Sequence, residues 1–266
     1  MVSQTSILFM AISAFLSLAV PIGALIYCKK KNISWKPVLI GVLIFILFSQ
    51  VLEGLLNLFV LKSGSWTDNP YLYALYGGTA AGVFEEVGRL VGFIYLLKKY
   101  RKWKDGVAYG IGHGGIEAIL IGVIAGIQNI SMSTMINSGS FDQVIKAANG
   151  DPALLENVRE QLISAPSYMF LMGGFERIAA FVLQIALSIL VLYAVKNRKA
   201  IYLFLAIFIH AAIDFVALLA KELEWSIFVP EGLLLIVAIA AFVFIKRSKR
   251  MFDGYSINKD QNTITP

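Results

Sequence analysis

The chain has 266 residues, 58% of them hydrophobic and only 15% charged, with a mean hydropathy of +0.74. That charge content is well below the roughly 25% of soluble domains, and so large an apolar surface excludes a water-soluble globular fold. The formal net charge of +6 comes from basic residues in short runs between apolar segments, which points to membrane topology and away from nucleic acid.

Each apolar stretch must satisfy its own backbone hydrogen bonds in lipid, so each is read as a helix. The expected fold is all-α: a polytopic membrane helix bundle of about seven transmembrane helices. In chain order the segments run from Ser6 to Tyr27, Pro37 to Leu61, Tyr71 to Leu97, Gly106 to Ile130, Pro166 to Val195, Ile201 to Ala220 and Val229 to Ile245. Most exceed the roughly 20 residues that cross a hydrocarbon core. No basic residue precedes the first segment, and Lys29, Lys30 and Lys31 follow it. That pattern describes a retained helix rather than a secretory signal.

Basic residues alternate with the spans. Lys29–Lys31 with Lys36, the run from Lys98 to Lys104, Lys196 with Arg198 and Lys199, and Lys246 to Arg250 mark every second connection. The expected topology has the N-terminus outside and the C-terminus cytoplasmic, in a cell membrane, as a multi-pass protein of the bacterial plasma membrane. Residues 1–250 are read as one transmembrane domain and 251–266 as a disordered cytoplasmic tail. The long external connection, 131–165, carries a short helix signal in which Asp151 caps, Pro152 takes the first position, and Leu155, Val158 and Leu162 share a face. It is read as a surface lid or a plain connector.

The informative feature is ionisable residues inside the spans. The third segment contains Glu85-Glu86-Val87-Gly88-Arg89, which sets Arg89 four residues from Glu85 and three from Glu86. The fourth contains Tyr109-Gly110-Ile111-Gly112-His113, with Glu117 one turn further on; the fifth carries Glu176-Arg177; the sixth carries His210 and Asp214 one turn apart. Glu85 lies about 18 Å from the inner end of its helix, and both histidines about 11 to 14 Å deep. A central charge costs about 2.5 to 3.5 kcal/mol on insertion scales, so these side chains are expected to face one another. Gly77, Gly78, Gly82, Gly110 to Gly115, and Gly173-Gly174 favour close helix approach. The acids Glu53, Glu85, Glu86, Glu117, Glu176 and Asp214 outnumber Arg89 and Arg177. The balance calls for protonated acids, charged histidines or a divalent cation. Glu53 alone and the Glu176-Arg177 pair read equally well as structural.

Glu85-Glu86-x-x-Arg89, Tyr109-x-x-x-His113 and His210-x-x-x-Asp214 resemble, in order, the three motifs of the CAAX protease (CPBP) and PrsW-like membrane peptidase superfamily. The block with Gly112-His113-Gly114-Gly115 and Glu117-Ala118 looks most like its YhfC family. Arg89 stands one residue earlier than in the common motif, Asp214 replaces a frequent Asn, and Tyr109 a frequent Phe.

The resemblance implies an intramembrane peptidase acting on a membrane-embedded or membrane-adjacent protein or peptide. It makes Glu85, Glu86, Arg89, His113, Glu117, His210 and Asp214 the expected catalytic set, with Tyr109, Glu176 and Arg177 as secondary candidates. On that pattern Glu85 and His113 activate water, His210 and Asp214 line the oxyanion side, and no cofactor is required. The alternative within the same reading is a metallopeptidase with Zn²⁺ on His113, His210, Glu85 and Glu117, although the helical His-Glu-x-x-His signature is absent. Buried acids and histidines also build proton- or ion-coupled transporters, and a noncatalytic scaffold or immunity protein could retain the fold.

Overall fold

The computed structural model describes residues 1–147 and 152–261, with side chains through Phe252. All regular structure among these residues is helical. α1 spans Gln4–Lys30, α2 Trp35–Val60, and α3 Pro70–Val91, continued by a π turn Gly92–Leu96. α4 spans Trp103–Ser138, α5 Phe141–Ala147, α6 Pro152–Ser164, α7 Ser167–Asn197, α8 Ile201–Glu222 and α9 Phe228–Gln261. Six of these, α1, α2, α4, α7, α8 and α9, are long and apolar enough to cross a membrane. α3 is of comparable length and differs in carrying Glu85, Glu86 and Arg89. The chain is a multi-pass, all-α membrane protein.

Local chemistry sets several helix starts. Ser34 accepts a hydrogen bond from the Lys36 amide at the head of α2. Asn69 accepts from Tyr71 and Leu72 at 3.0 and 3.2 Å, and Pro70 takes the first helical position of α3. Gly139, at φ +78°, ends α4 in the left-handed region that glycine enters without a Cβ clash.

Three differences from the expected segments have physical causes. α4 continues to Ser138, eight residues beyond the apolar run, because Ile130, Met132 and Ile136 still have an apolar face to bury. The connection that follows holds two short helices. Val158 and Leu162 of α6 pack with Val2, Met10 and Phe170, so α6 is anchored by its apolar face rather than free. The expected cap Asp151 lies outside the described residues. At the other end, α9 continues through Gln261, whereas residues 251–266 read as an irregular tail.

Residues 1–250, read as one domain, resolve into two compact units. One comprises Met1–Gly23 and Glu117–Ile178, the other Ala24–Ile116 and Ala179–Pro266. In the first, the Val2 amide donates to Asn137 Oδ1 at 2.8 Å while Asn137 Nδ2 donates to the Val2 carbonyl at 2.9 Å. Arg159 there pairs with Asp142 and, at 3.4 Å, with Glu156, joining α5 to α6.

In the second unit, the C-terminal half of α7 is enclosed, with Leu187, Ile189, Val191 and Leu192 buried. Leu39, Phe59, Phe204, Phe208 and Ile236 face outward, as lipid requires. Two glycine pairs let helices approach almost backbone to backbone. A Cβ on Gly78 would lie 2.6 Å from the Ala211 carbonyl oxygen, and one on Gly82 3.0 Å from the Ala211 nitrogen, which brings α3 against α8. A Cβ on Gly112 would collide with the Val38 carbonyl, and one on Gly41 with that of Tyr109, which seats α2 on α4.

Candidate active site

The close α3–α8 contact places His210 opposite Glu85 and Glu86. His210 Nδ1 lies 2.7 Å from Glu86 Oε1, and His210 Nε2 lies 3.9 Å from Glu85 Oε2. From α4, His113 Nε2 approaches the same Glu85 Oε2 at 2.8 Å. Both imidazoles therefore present Nε2 to one carboxylate oxygen. Asp214, one turn beyond His210, brings Oδ2 to 3.5 Å from His210 Nε2 and is the more exposed acid of the group.

Arg89 fixes the two glutamates. It donates to Glu86 through Nη1 and to Glu85 through Nη2 at 3.4 Å. The same Nη2 donates to Gln184 Oε1 on α7, and Gln184 Nε2 donates to Glu85 Oε2 at 3.2 Å. Glu86, Arg89 and His113 are fully enclosed, with Glu85 and His210 nearly so. A buried charge is tolerated only when paired and hydrogen-bonded, and Arg89 meets this by spanning two acids and an amide.

Aromatic rings hold His113. Phe45 meets it edge-on with centroids 5.0 Å apart, and Tyr109 lies nearly parallel at 6.1 Å, itself backed by Phe93 at 4.6 Å. Tyr109, expected as a secondary site residue, thus touches the cluster through its ring. Among the described residues its hydroxyl, Glu86 Oε2, Arg89 Nε and His113 Nδ1 have no hydrogen-bond partner.

Of the expected residues, Glu85, Glu86, Arg89, His113, His210 and Asp214 come together in one unit. Glu117 follows His113 by one turn on α4, and Arg177 pairs with it at 3.5 Å. Arg177 also pairs with Glu176, so these three form a salt-bridged group in the other unit.

Two residues of the cluster were not singled out from the sequence for a role in it. Gln184 is the more central; its signal is a lone amide within Phe181-Val182-Leu183-Gln184-Ile185-Ala186. Glu53, which the sequence shows as a buried acid outside the motifs, interacts electrostatically with Glu85, His210 and Asp214. It lies on a π segment of α2, Ile46–Glu53, and accepts from Asn57 at 3.5 Å; Asn57 in turn accepts from the Tyr76 hydroxyl at 2.6 Å.

The donor set suits a zinc ion. Imidazole nitrogen and carboxylate oxygen are ligand types that zinc takes, and His113 Nε2 and His210 Nε2 each face Glu85 Oε2, at 2.8 and 3.9 Å. His210 has its other nitrogen on a carboxylate, the outer-shell contact that fixes the tautomer and ring angle of a metal-binding histidine.

The profile of the family described as "YhfC intramembrane metalloprotease" matches residues 16–234. The "Uncharacterized membrane protein YhfC" of Bacillus subtilis (strain 168) is 40% identical over 259 residues, covering 95% of this chain and 100% of the relative. No solved structure matches. The chain belongs to the YhfC intramembrane metalloprotease family.

Proposed function

We propose that the protein is a zinc-dependent intramembrane peptidase that hydrolyses a peptide bond in a membrane-embedded or membrane-adjacent protein. The observation that carries this reading is the approach of His113 Nε2 and His210 Nε2 to the same Glu85 oxygen, at 2.8 and 3.9 Å. The family description turns the choice between a metal-free glutamate mechanism and a metal-dependent one toward the metal.

His113, His210 and Glu85 would hold the ion. Bound there, zinc supplies Lewis acidity toward the peptide carbonyl and lowers the pKa of water. With the ion bound, Glu86 would accept from His210 Nδ1 and leave Nε2 to bind the metal. Arg89 and Gln184 keep Glu85 from rotating away.

Asp214, with Oδ2 at 3.5 Å from His210 Nε2 and the more exposed acid of the group, takes the proton of the attacking water on Oδ2. The water oxygen bonds to the carbonyl carbon, the C–N bond breaks, and the proton passes to the departing amine. The enclosed helices keep bulk water away from the buried charges, where electrostatic contacts act more strongly than in water.

The test is a comparison of peptide termini in membranes of cells expressing the wild-type chain or His113→Ala. Termini that arise inside or next to a span with the wild type and vanish with the variant support the reading. Identical sets of termini, at equal protein levels, contradict it.

A further inference from the structure

The end of α7, the turn Arg198-Lys199-Ala200, the start of α8 and Arg101 enclose a cavity of about 640 Å³ within one unit. Arg101, Lys196, Arg198 and Lys199 line it. Leu90 and Ile94 of α3 and Leu203 of α8 form an apolar wall. We propose that this cavity binds the phosphate headgroup of an anionic phospholipid, with the lipid's first acyl carbons against that wall. The proposal is independent of the peptidase reading.

The cations are arranged, not merely abundant. Arg198 adopts a left-handed backbone, φ +54°, which turns the chain from α7 into α8 within three residues. Arg101 is held in place by its bonds to the Leu97 and Tyr100 carbonyls, at 2.8 and 3.4 Å. Lys196 is fixed by the Phe252 carbonyl at 3.0 Å and lies over the Phe252 ring. Holding like charges together without an anion is unfavourable. Among the described residues no carboxylate forms an ion pair with Arg101, Arg198 or Lys199. Burial holds the Arg101 guanidinium below its ordinary pKa, and Asp105 offsets only part of that cost.

The N-terminus of α8 adds to the field. Its cap, Ala200, contributes no side-chain hydrogen bond and lines the cavity, so the positive end of a 22-residue helix lies beside it. A phosphate answers all of these features, and basic pockets between spans at the level of helix ends bind lipid headgroups. The apolar wall selects a lipid over a free phosphate ion, which would leave Leu90, Ile94 and Leu203 facing water.

The experiment is native mass spectrometry of the full-length chain, delipidated in detergent at about 0.15 M salt, where surface charges are screened beyond about 8 Å. Phosphatidylglycerol and phosphatidylcholine are titrated separately, and inorganic phosphate is added as competitor. The variants are Arg198→Gln with Lys199→Gln, Arg101→Gln alone, and Lys246→Gln with Arg247→Gln, which removes equal charge away from the cavity. The prediction is that phosphatidylglycerol binds more tightly than phosphatidylcholine. Its affinity falls about 30-fold in the Arg198/Lys199 variant, several-fold in Arg101→Gln, and little in the Lys246/Arg247 variant. Equal losses in both double variants, or in neither, overturn the proposal. Displacement of the lipid by millimolar inorganic phosphate shows a free-anion site and overturns the lipid assignment.

Discussion

His210 Nδ1 sits 2.7 Å from Glu86 Oε1 while its Nε2 faces Glu85 Oε2 across 3.9 Å. One imidazole thus joins two adjacent glutamates through opposite ring nitrogens, and the two acids take different tasks. Glu86 is enclosed and positions the ring; Glu85 stands where both histidines point.

That division predicts that Glu86→Gln preserves the ligand set but loosens it. Outer-shell partners of metal-binding histidines are worth 10 to 100-fold in affinity. Competition with a chelator of known zinc affinity is expected to show a loss of about that size. Unchanged affinity would mean that Glu86 does not position His210 for metal.

Arg89 compensates two buried acids and holds Gln184. Arg89→Met leaves uncompensated charge in a region shut off from water, and breaking a buried pair costs about 3 to 5 kcal/mol. Thermal unfolding in detergent is expected to show a large drop for Arg89→Met. Arg89→Lys is expected to recover little of it, because an ammonium cannot reach both carboxylates and the amide in one plane. Equal stability of Arg89→Met and wild type would contradict the geometry.

The glycine contacts give a stability prediction that does not depend on chemistry. Gly112→Ala and Gly41→Ala place a methyl group against a backbone carbonyl and should each destabilise by roughly 1 to 3 kcal/mol. Gly23 and Gly54 have open space where a Cβ would go. Alanine there should be neutral or slightly stabilising, since glycine is the poorer helix former by about 1 kcal/mol. Comparable losses at all four positions in a thermal assay would show that the close approach is not what the glycines serve.

Much of the site was legible in the sequence because helical periodicity is a strong rule. Residues four apart share a face, so Glu85 with Arg89 and His210 with Asp214 could be paired from spacing alone. The cost of charge in lipid then brought α3, α4 and α8 together. Gln184 escaped because an amide in a span is equally at home in helix packing, and nothing in its spacing ties it to Arg89.

Glu53 is legible as a buried acid, but its place beside the cluster is not, for a different reason. π segments at Ile46–Glu53, Gly92–Leu96 and Ala118–Ile124 shift the phase of three helices, and ideal periodicity cannot say which face emerges beyond such a shift. The length of α4 and the anchoring of α6 were hidden because a partner surface, not local hydropathy, decides both.

Glu53 therefore supplies its own prediction. It interacts with the cluster without belonging to any motif, so Glu53→Gln should lower cleavage by less than about tenfold. Glu85→Gln takes away a proposed zinc ligand and should lower it by at least about 10², the upper end of what outer-shell partners are worth. Rates of a reporter peptide cleaved in liposomes separate the two. A Glu53→Gln loss equal to that of Glu85→Gln would place Glu53 in the reaction itself.

The central claim is that this buried cluster hydrolyses peptide bonds with a bound metal. The most direct measurement is cleavage of a membrane-peptide library by the purified full-length chain in liposomes, before chelation, after chelation, and after zinc is restored. The account predicts cleavage that is lost with the chelator, returns with zinc, and never appears in the His113→Ala, His210→Ala double variant. Cleavage that survives complete chelation, or that persists in the double variant, would contradict it.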